Sequence, residues 1–212
     1  MATLEDILRD HVTPYGIPAS VGAELPAVPN FSVATGSSEW QVVYEFCRYY
    51  GGIAPRFDRY GRLVIAPWPD GERRVLGADT AVTRLTLRDQ RYGVLSQVLV
   101  RDRTSEEVQT VADGDFLRRG GRSRRVLTMP GKSSYQAMRY SGEYQLEQAR
   151  KELRTLELEL PAAFAAWPGE LVELRLAQNV GTGLWRVRES VSAQEERGSY
   201  TRLTLAPPDV LG

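Results

Sequence analysis

The chain has 212 residues and no formal net charge, with 27 basic residues against 27 acidic ones, so a broadly basic nucleic-acid binder is disfavoured. Hydrophobic content of 42% and charged content of 25% are those of a soluble globular protein, long enough for one large domain or two small ones. One cysteine and one histidine exclude an intrachain disulfide and the usual Cys/His zinc sites, and no apolar run approaches the roughly 20 residues that span a bilayer.

"MATLEDILRDHV" carries acids among its apolar residues and does not read as a signal peptide, so synthesis and folding in a host cytoplasm are expected. Thr3 is a good N-cap, and Glu5 and Asp6 suit the positive end of a helix. Leu4, Ile7, Leu8 and His11 define one face of that helix, which must stop before Pro14. Residues 14–29 are rich in Pro and Gly and read as an extended connector, with a short strand at 19–21.

"SSEWQVVYEFCRYYGGIAPRFDRYGRLVIAP", 37–67, is the most regular stretch. Ser38 and Gln41 form an S-x-x-Q capping box. Trp40, Val43, Phe46, Cys47 and Tyr50 then share a helix face, and Gly51 and Gly52 end the helix. Ile53, Pro55 and Phe57 alternate, "DRYG" supplies turn chemistry, and Leu63 and Ile65 alternate again, which predicts a hairpin. Residues 1–70 are therefore expected to form a small α+β helix-hairpin domain.

"PWPDGERR" marks a boundary. Beyond it, strand signals recur around Val82, Leu85 and Leu87, around Val94 to Val100, and around Val108 and Val111. "DGDFLRRGGRSRR", 113–125, reads as a long exposed loop, and "VLTMP" resumes extended structure. A helix near 141–153 carries Tyr144, Leu146, Ala149 and Leu153, with Glu147 placed to pair with Lys151. The period then shifts to alternation at 156–160. "ELVELRL", "GLWRVRESVS" and "SYTRLTLAP" complete an antiparallel meander, expected to close as a small barrel because closure removes edges. The fold class expected is α+β, the helix-hairpin domain being followed over 71–212 by a mainly antiparallel β-barrel region with one intervening helix.

The chemistry-bearing residues point away from catalysis. His11 lies on an apolar stripe and reads as a satisfied structural histidine. Cys47, on a buried face beside Phe46, reads as an inert core thiol. "PGKSS", 130–134, resembles the end of a phosphate-binding loop, but Val126 stands where the leading glycine is required. Asp113 and Asp115 flank a glycine and read as a solvated turn. Trp40, Trp68, Trp167 and Trp185 are scattered, with core anchoring the default expectation. The sharpest charge feature is Arg118, Arg119, Arg122, Arg124 and Arg125. With only Phe116 near it, this group reads as a solvated loop, or as one pairing with acids on a neighbouring subunit, rather than as a nucleic-acid platform. No catalytic residue, cofactor or metal is expected.

Ser38, Trp40, Asp58, Gly61, Leu63 and Ile65 resemble the helix-glycine-hairpin segment of baseplate hub proteins of contractile-tailed phages, the late control protein D family. The closing segment is similar to that family's final barrel: Pro168, Gly169 and Val172, then Gly183, Trp185 and Val187, then Gly198, Thr201, Leu203 and Leu205. Full hubs usually carry a further barrel before the helix-hairpin unit, so the chain resembles a C-terminal portion or a shortened form. The resemblance implies a non-enzymatic structural role in a virion tail baseplate, of a phage or prophage. It also implies a homo-oligomeric ring, usually a trimer, joining tail-tube and spike proteins, with the arginine group and the Pro-rich connector as contact elements. A cell-wall glycan-binding or peptidoglycan hydrolase domain of a phage tail is the competing expectation. It calls for a cleft with two carboxylates, one of raised pKa.

Overall fold

Thr3 and Ser38 begin the first two helices, as their spacing predicts. Thr3 and Asp6 cap each other reciprocally. The Ser38 hydroxyl accepts from the Gln41 N–H, but the Gln41 side chain turns to Glu45, so only half of the expected box forms. The computed structural model describes residues 1–90, 92–104, 106–151, 153–196 and 198–208. In chain order its elements are α1 (Leu4–His11), β1 (Ala19–Val21), α2 (Glu39–Phe46), β2 (Arg56–Phe57), β3 (Leu63–Ile65), β4 (Arg73–Leu76), β5 (Arg84–Asp89), β6 (Gln97–Arg101), β7 (Val108–Ala112), α3 (Gly114–Arg118), β8 (Arg124–Thr128), α4 (Tyr135–Arg150), β9 (Arg154–Leu160), β10 (Leu171–Leu174), β11 (Gly183–Glu195) and β12 (Gly198–Ala206). The class is α+β with a barrel-like region, as expected.

Tertiary contacts divide the chain into two units, Met1–Pro67 with Leu95–Leu146, and Trp68–Val94 with Glu147–Gly212. This differs from the expected consecutive pair, 1–70 and 71–212. The first break falls near the expected place, but residues 95–146 group with the N-terminal segment.

In the first unit α2 continues into a wider π-type turn, Cys47–Gly51, and Gly52 closes it at φ 65°. A glycine suits that left-handed position because a Cβ would meet the Tyr140 carbonyl oxygen at 2.8 Å. Phe46, Cys47 and Tyr50 are fully buried, and Phe31 stands edge-on to Phe46 and Tyr50 at 5.1 and 5.9 Å. β2 and β3 form the predicted hairpin, which Asp58 holds by accepting from the Tyr60 and Arg62 backbone N–H groups. β1 pairs with β3 in parallel. A second three-stranded sheet, in the order β7-β6-β8, lies against α4, where Gly142 lets the helix backbone approach Val111 and Val100.

Three local expectations are corrected. The helix expected near 141–153 is α4, beginning at Tyr135 with the Ser134 hydroxyl accepting from the Ala137 N–H. Ala137 and Met138 supply an extra buried turn. The expected loop at 113–125 contains α3 and the start of β8, because Asp113 is no solvated turn residue: it is buried and caps α3 through the Phe116 N–H. The tryptophans are mostly not core anchors. Trp185 is 3% exposed, whereas Trp40 and Trp167 are 41% and 45% exposed.

The second unit is one six-stranded sheet, in the order β4-β10-β11-β12-β9-β5. β4 and β5 do not pair, so the closed barrel expected from sequence is a half-barrel. Its core comes from period-2 alternation. Leu85, Leu158 and Leu203 form one cross-strand row and Leu87, Leu156 and Leu205 the next. Val172, Leu174, Trp185 and Val187 extend that core. The buried Arg186 guanidinium donates to the carbonyls of Pro69, Gly169 and Pro208 and to Asp70, tying three connecting segments to β11.

Candidate interaction surface

The five arginines singled out by sequence do not act as one cluster. Arg118, on α3, pairs with Asp115. Arg119 sits over the Phe116 ring at 5.9 Å and donates to the Asp115 carbonyl. Arg122 donates to the Gly121 carbonyl at 3.0 Å, and Arg124 to the Gln97 side-chain oxygen at 3.1 and 3.0 Å. Arg125 points to the other side of its strand and donates to Gln145 of α4 at 3.0 Å. The residue that leaves the group is therefore Arg125. Strand alternation at β8 sends neighbours to opposite faces, and a sequence reading of 113–125 as a loop could not have placed it there.

Register defines the face that Arg124 belongs to. β6 pairs antiparallel with β7 and parallel with β8, so Ala112, Gln97 and Arg124 form one row. Thr110, Leu99 and Val126 form the second row, and Val108, Arg101 and Thr128 the third. Val98 and Val100, on the opposite side, are buried toward α4. On the outward face Val108 and Val126 are 56% and 63% exposed. The face is thus apolar and β-branched at its centre, carries Arg101 and Arg124, and has no carboxylate. Arg122 and Arg124 donate to neutral oxygens, and among the described residues neither forms an ion pair. Such a face can hold a complementary acidic protein surface, with the apolar middle desolvated and the cations at its rim.

A second exposed feature surrounds His11. α1 and α2 bring its Nδ1 into a short contact with the Glu39 carboxylate, whose other oxygen accepts from the Tyr15 hydroxyl at 3.3 Å. The hydrogen bond from His11 holds Glu39 below the usual carboxylate range. Next to this pair is a groove of about 360 Å³ lined by Val43, Leu63, Phe57 and Trp40. The Trp40 and Phe57 rings are 5.4 Å apart and both partly exposed. The sequence placed Trp40 on the buried helix face. It lies at the first turn, where the neighbouring hairpin covers it only in part.

The cysteine and the histidine weighed from sequence are not placed as a nucleophile and its base. Cys47 is fully buried and burial pushes its thiol up to about 12, while His11 is engaged by Glu39. The carboxylates Glu159 and Glu173 are held below their usual range by hydrogen bonds from arginines, opposite to the shift a general acid requires. Lys132 and Ser133 of the "PGKSS" stretch lie in irregular chain just before α4, where the Ser133 N–H donates to buried Asp102 at 2.8 Å. Among the described residues no group of three His, Cys, Asp or Glu side chains is placed to hold a metal ion. No described helix is long and apolar enough to cross a membrane.

No protein-family model and no curated protein matches the chain. Solved structures do. The chain is similar to the tail protein from Neisseria meningitidis MC58, with a TM-score of 0.76 and 15% identity over 99% of this chain and 68% of that one. It is similar to the 43 kDa tail protein of prophage MuSo2 from Shewanella oneidensis, with a TM-score of 0.71 and 15% identity over 99% of this chain and 64% of that one. An E. coli component of the type VI secretion system, itself structurally similar to bacteriophage T4 tail proteins, matches with a TM-score of 0.57 and 15% identity over 99% of this chain and 48% of that one. At these identities the likeness is one of fold, and the chain spans less than two thirds of the Shewanella protein.

Proposed function

We propose that the chain is a structural component of the tail of a phage, prophage or phage-derived particle, working in its baseplate hub through protein–protein contacts and without catalysis. One observation carries the reading: tail proteins share the fold over 99% of the chain, both units included. A two-unit arrangement with interleaved segments is a demanding topology to match by accident. The hub position, linking tube to spike, is supported by the sequence resemblance at Ser38, Trp40, Asp58 and Gly61 and at the β11–β12 positions Trp185, Val187, Leu203 and Leu205. As a hub component the chain works as a homo-oligomer, a trimer by family resemblance, in the virion baseplate. It needs no cofactor.

The outward face of β7-β6-β8, with Arg122 and Arg124 and the flanking Arg118 and Arg119, is the contact element in this reading. Apolar exposure at Val126 and Val108 favours a protein partner over a phosphate backbone.

Co-expression of the whole chain with the tail-tube and spike proteins encoded beside it tests the proposal. The expected result is a complex that co-elutes on size exclusion, and that weakens at least tenfold in the double variant Arg122→Glu, Arg124→Glu while the circular dichroism is unchanged. A chain that binds neither protein and does not self-associate overturns the hub reading. An intact complex in the double variant overturns the assignment of the face.

A further inference from the structure

The hairpin of β11 and β12 carries an edge that the rest of its sheet leaves open. β10 follows β11 only from Leu171, opposite Arg186, to Leu174, opposite Gly183. Gly169 and Glu170 add two backbone bonds to Val187. There the chain turns off, with Gly169 at φ 94° and Pro168 before it. On β11 itself the register shifts between Val187 and Glu189, a bulge of the kind that bends a strand and ends pairing. From 189 to 195, among the described residues, the β11 backbone bonds only to β12. In an antiparallel pair alternate residues direct N–H and C=O away from the partner, so this stretch presents a row of free backbone groups. Over 189–192 this edge is the outer strand of β11-β12-β9, while 193–195 with 198–200 form a two-stranded tip, which is marginal by itself in water, so a further strand would stabilise it.

The two faces of that edge differ. Ser190 and Ser192 lie on the core-facing side, opposite Leu203 and Thr201. With Phe164, Ala166, Trp167 and Pro168 they line a groove of about 290 Å³. On the outer side Glu189, Val191, Ala193 and Glu195 alternate, with Glu196 in the turn. Elsewhere in this sheet Glu157, Glu159, Glu170 and Glu173 each pair with an arginine. Glu189 meets only the Thr204 hydroxyl, at 3.4 Å, and no ion pair forms at Glu195 or Glu196 among the described residues.

We propose that the 189–195 edge of β11 receives an extended segment of a partner protein by strand addition, one whose residues alternate between apolar and basic. Backbone bonds to the free edge supply binding. The apolar residues enter the groove beside Trp167, and the basic residues meet Glu189 and Glu195 on the outer side. This surface is separate from the arginine face, and its acceptance of a strand can hold or fail independently of a role in tails.

The test uses the full chain and a synthetic peptide of alternating valine and lysine, with proline at each end to block self-pairing. Binding is read by fluorescence anisotropy and its location by amide hydrogen exchange. The expected result is saturable binding with slowed exchange confined to 189–195. Affinity should fall about tenfold when glutamate replaces lysine in the peptide, and that preference should invert in the variant Glu189→Lys, Glu195→Lys. Exposed positions are chosen so that the variant folds, which the unchanged exchange of β9 and β10 will verify. Equal binding of a scrambled peptide, absence of binding, or protection elsewhere overturns the proposal.

Discussion

Cys47 and Arg186 show how single side chains are decided by what surrounds them. Burial raises the Cys47 thiol to about 12, because the charged thiolate would lose its hydration there. The group is therefore protonated throughout the physiological range. Alkylation of the native protein with iodoacetamide at pH 8 should be negligible over hours, and rapid once denaturant is added, as mass spectrometry will record. Fast native labelling would show the thiol to be accessible. Arg186 is charged and yet almost wholly enclosed, its own side chain 5% exposed against Asp70 at 82%. Three carbonyl acceptors hold it more than the ion pair does, since a carboxylate so exposed is screened by water. Arg186→Met should lower stability by about 1–3 kcal/mol, read as a shifted urea midpoint, because the Gly169 carbonyl and the part-buried carbonyls of Pro69 and Pro208 lose their donor. Arg186→Lys should recover little of it, since one ammonium cannot reproduce the planar fork. Neither the burial of Arg186 nor its partners could be inferred from "LWRVRES", where it reads as an outward polar residue between Trp185 and Val187. It does lie on the face opposite Trp185 and Val187, and it is buried there because the segments carrying Pro69, Gly169 and Pro208 cover that face.

At the scale of elements, local chemistry set most boundaries and contacts set the rest. Caps at Thr3 and Ser38, the turn at Asp58 and the alternation of β9, β11 and β12 are visible in the sequence, because each depends on residues a few positions apart. α4 was only half legible, for its first turn is stabilised by burying Ala137 and Met138 rather than by its own periodicity. Gly142 within it follows the same logic. Replacement by alanine would gain about 1 kcal/mol of helix propensity. The added Cβ, however, would stand 2.5 Å from the Val111 Cγ2 and 2.9 Å from its Cβ, and a valine side chain cannot swing away. Overpacking wins, and Gly142→Ala should destabilise the protein by about 1–2 kcal/mol net. A thermal midpoint that rises in this variant would show that α4 does not press on β7. Sequence and structure differ most over segment 113–125. Its polar, glycine-rich composition matches a loop, but capping by Asp113 and pairing of β8 with β6 order it, and pairing between segments some 30 residues apart leaves no local signature.

For the whole molecule, connectivity and compactness part company. The N-terminal segment 1–67 is completed by 95–146: Tyr44 and Tyr144 share a hydrogen bond of 3.0 Å, and the Gly52 turn fits against Tyr140. A fragment of residues 1–70 should therefore lack a cooperative thermal transition. A chain joining 1–67 to 95–146 through a short linker should show one, by circular dichroism and by dispersed amide resonances. A cooperative 1–70 fragment would reinstate the simpler consecutive division. By itself the sequence determined the class, the helix-hairpin unit, the alternating strands of the half-barrel and the absence of recognisable catalytic motifs, since these rest on composition and on spacings of two to four residues. Only the tertiary structure decided which segments share a core, that the sheet stays open between β4 and β5, that Arg125 faces α4 while Arg124 faces outward, and that β11 keeps a free edge. Those outcomes depend on register and on long-range burial, where the entropy of closing large loops is offset by contacts that no short window of sequence contains.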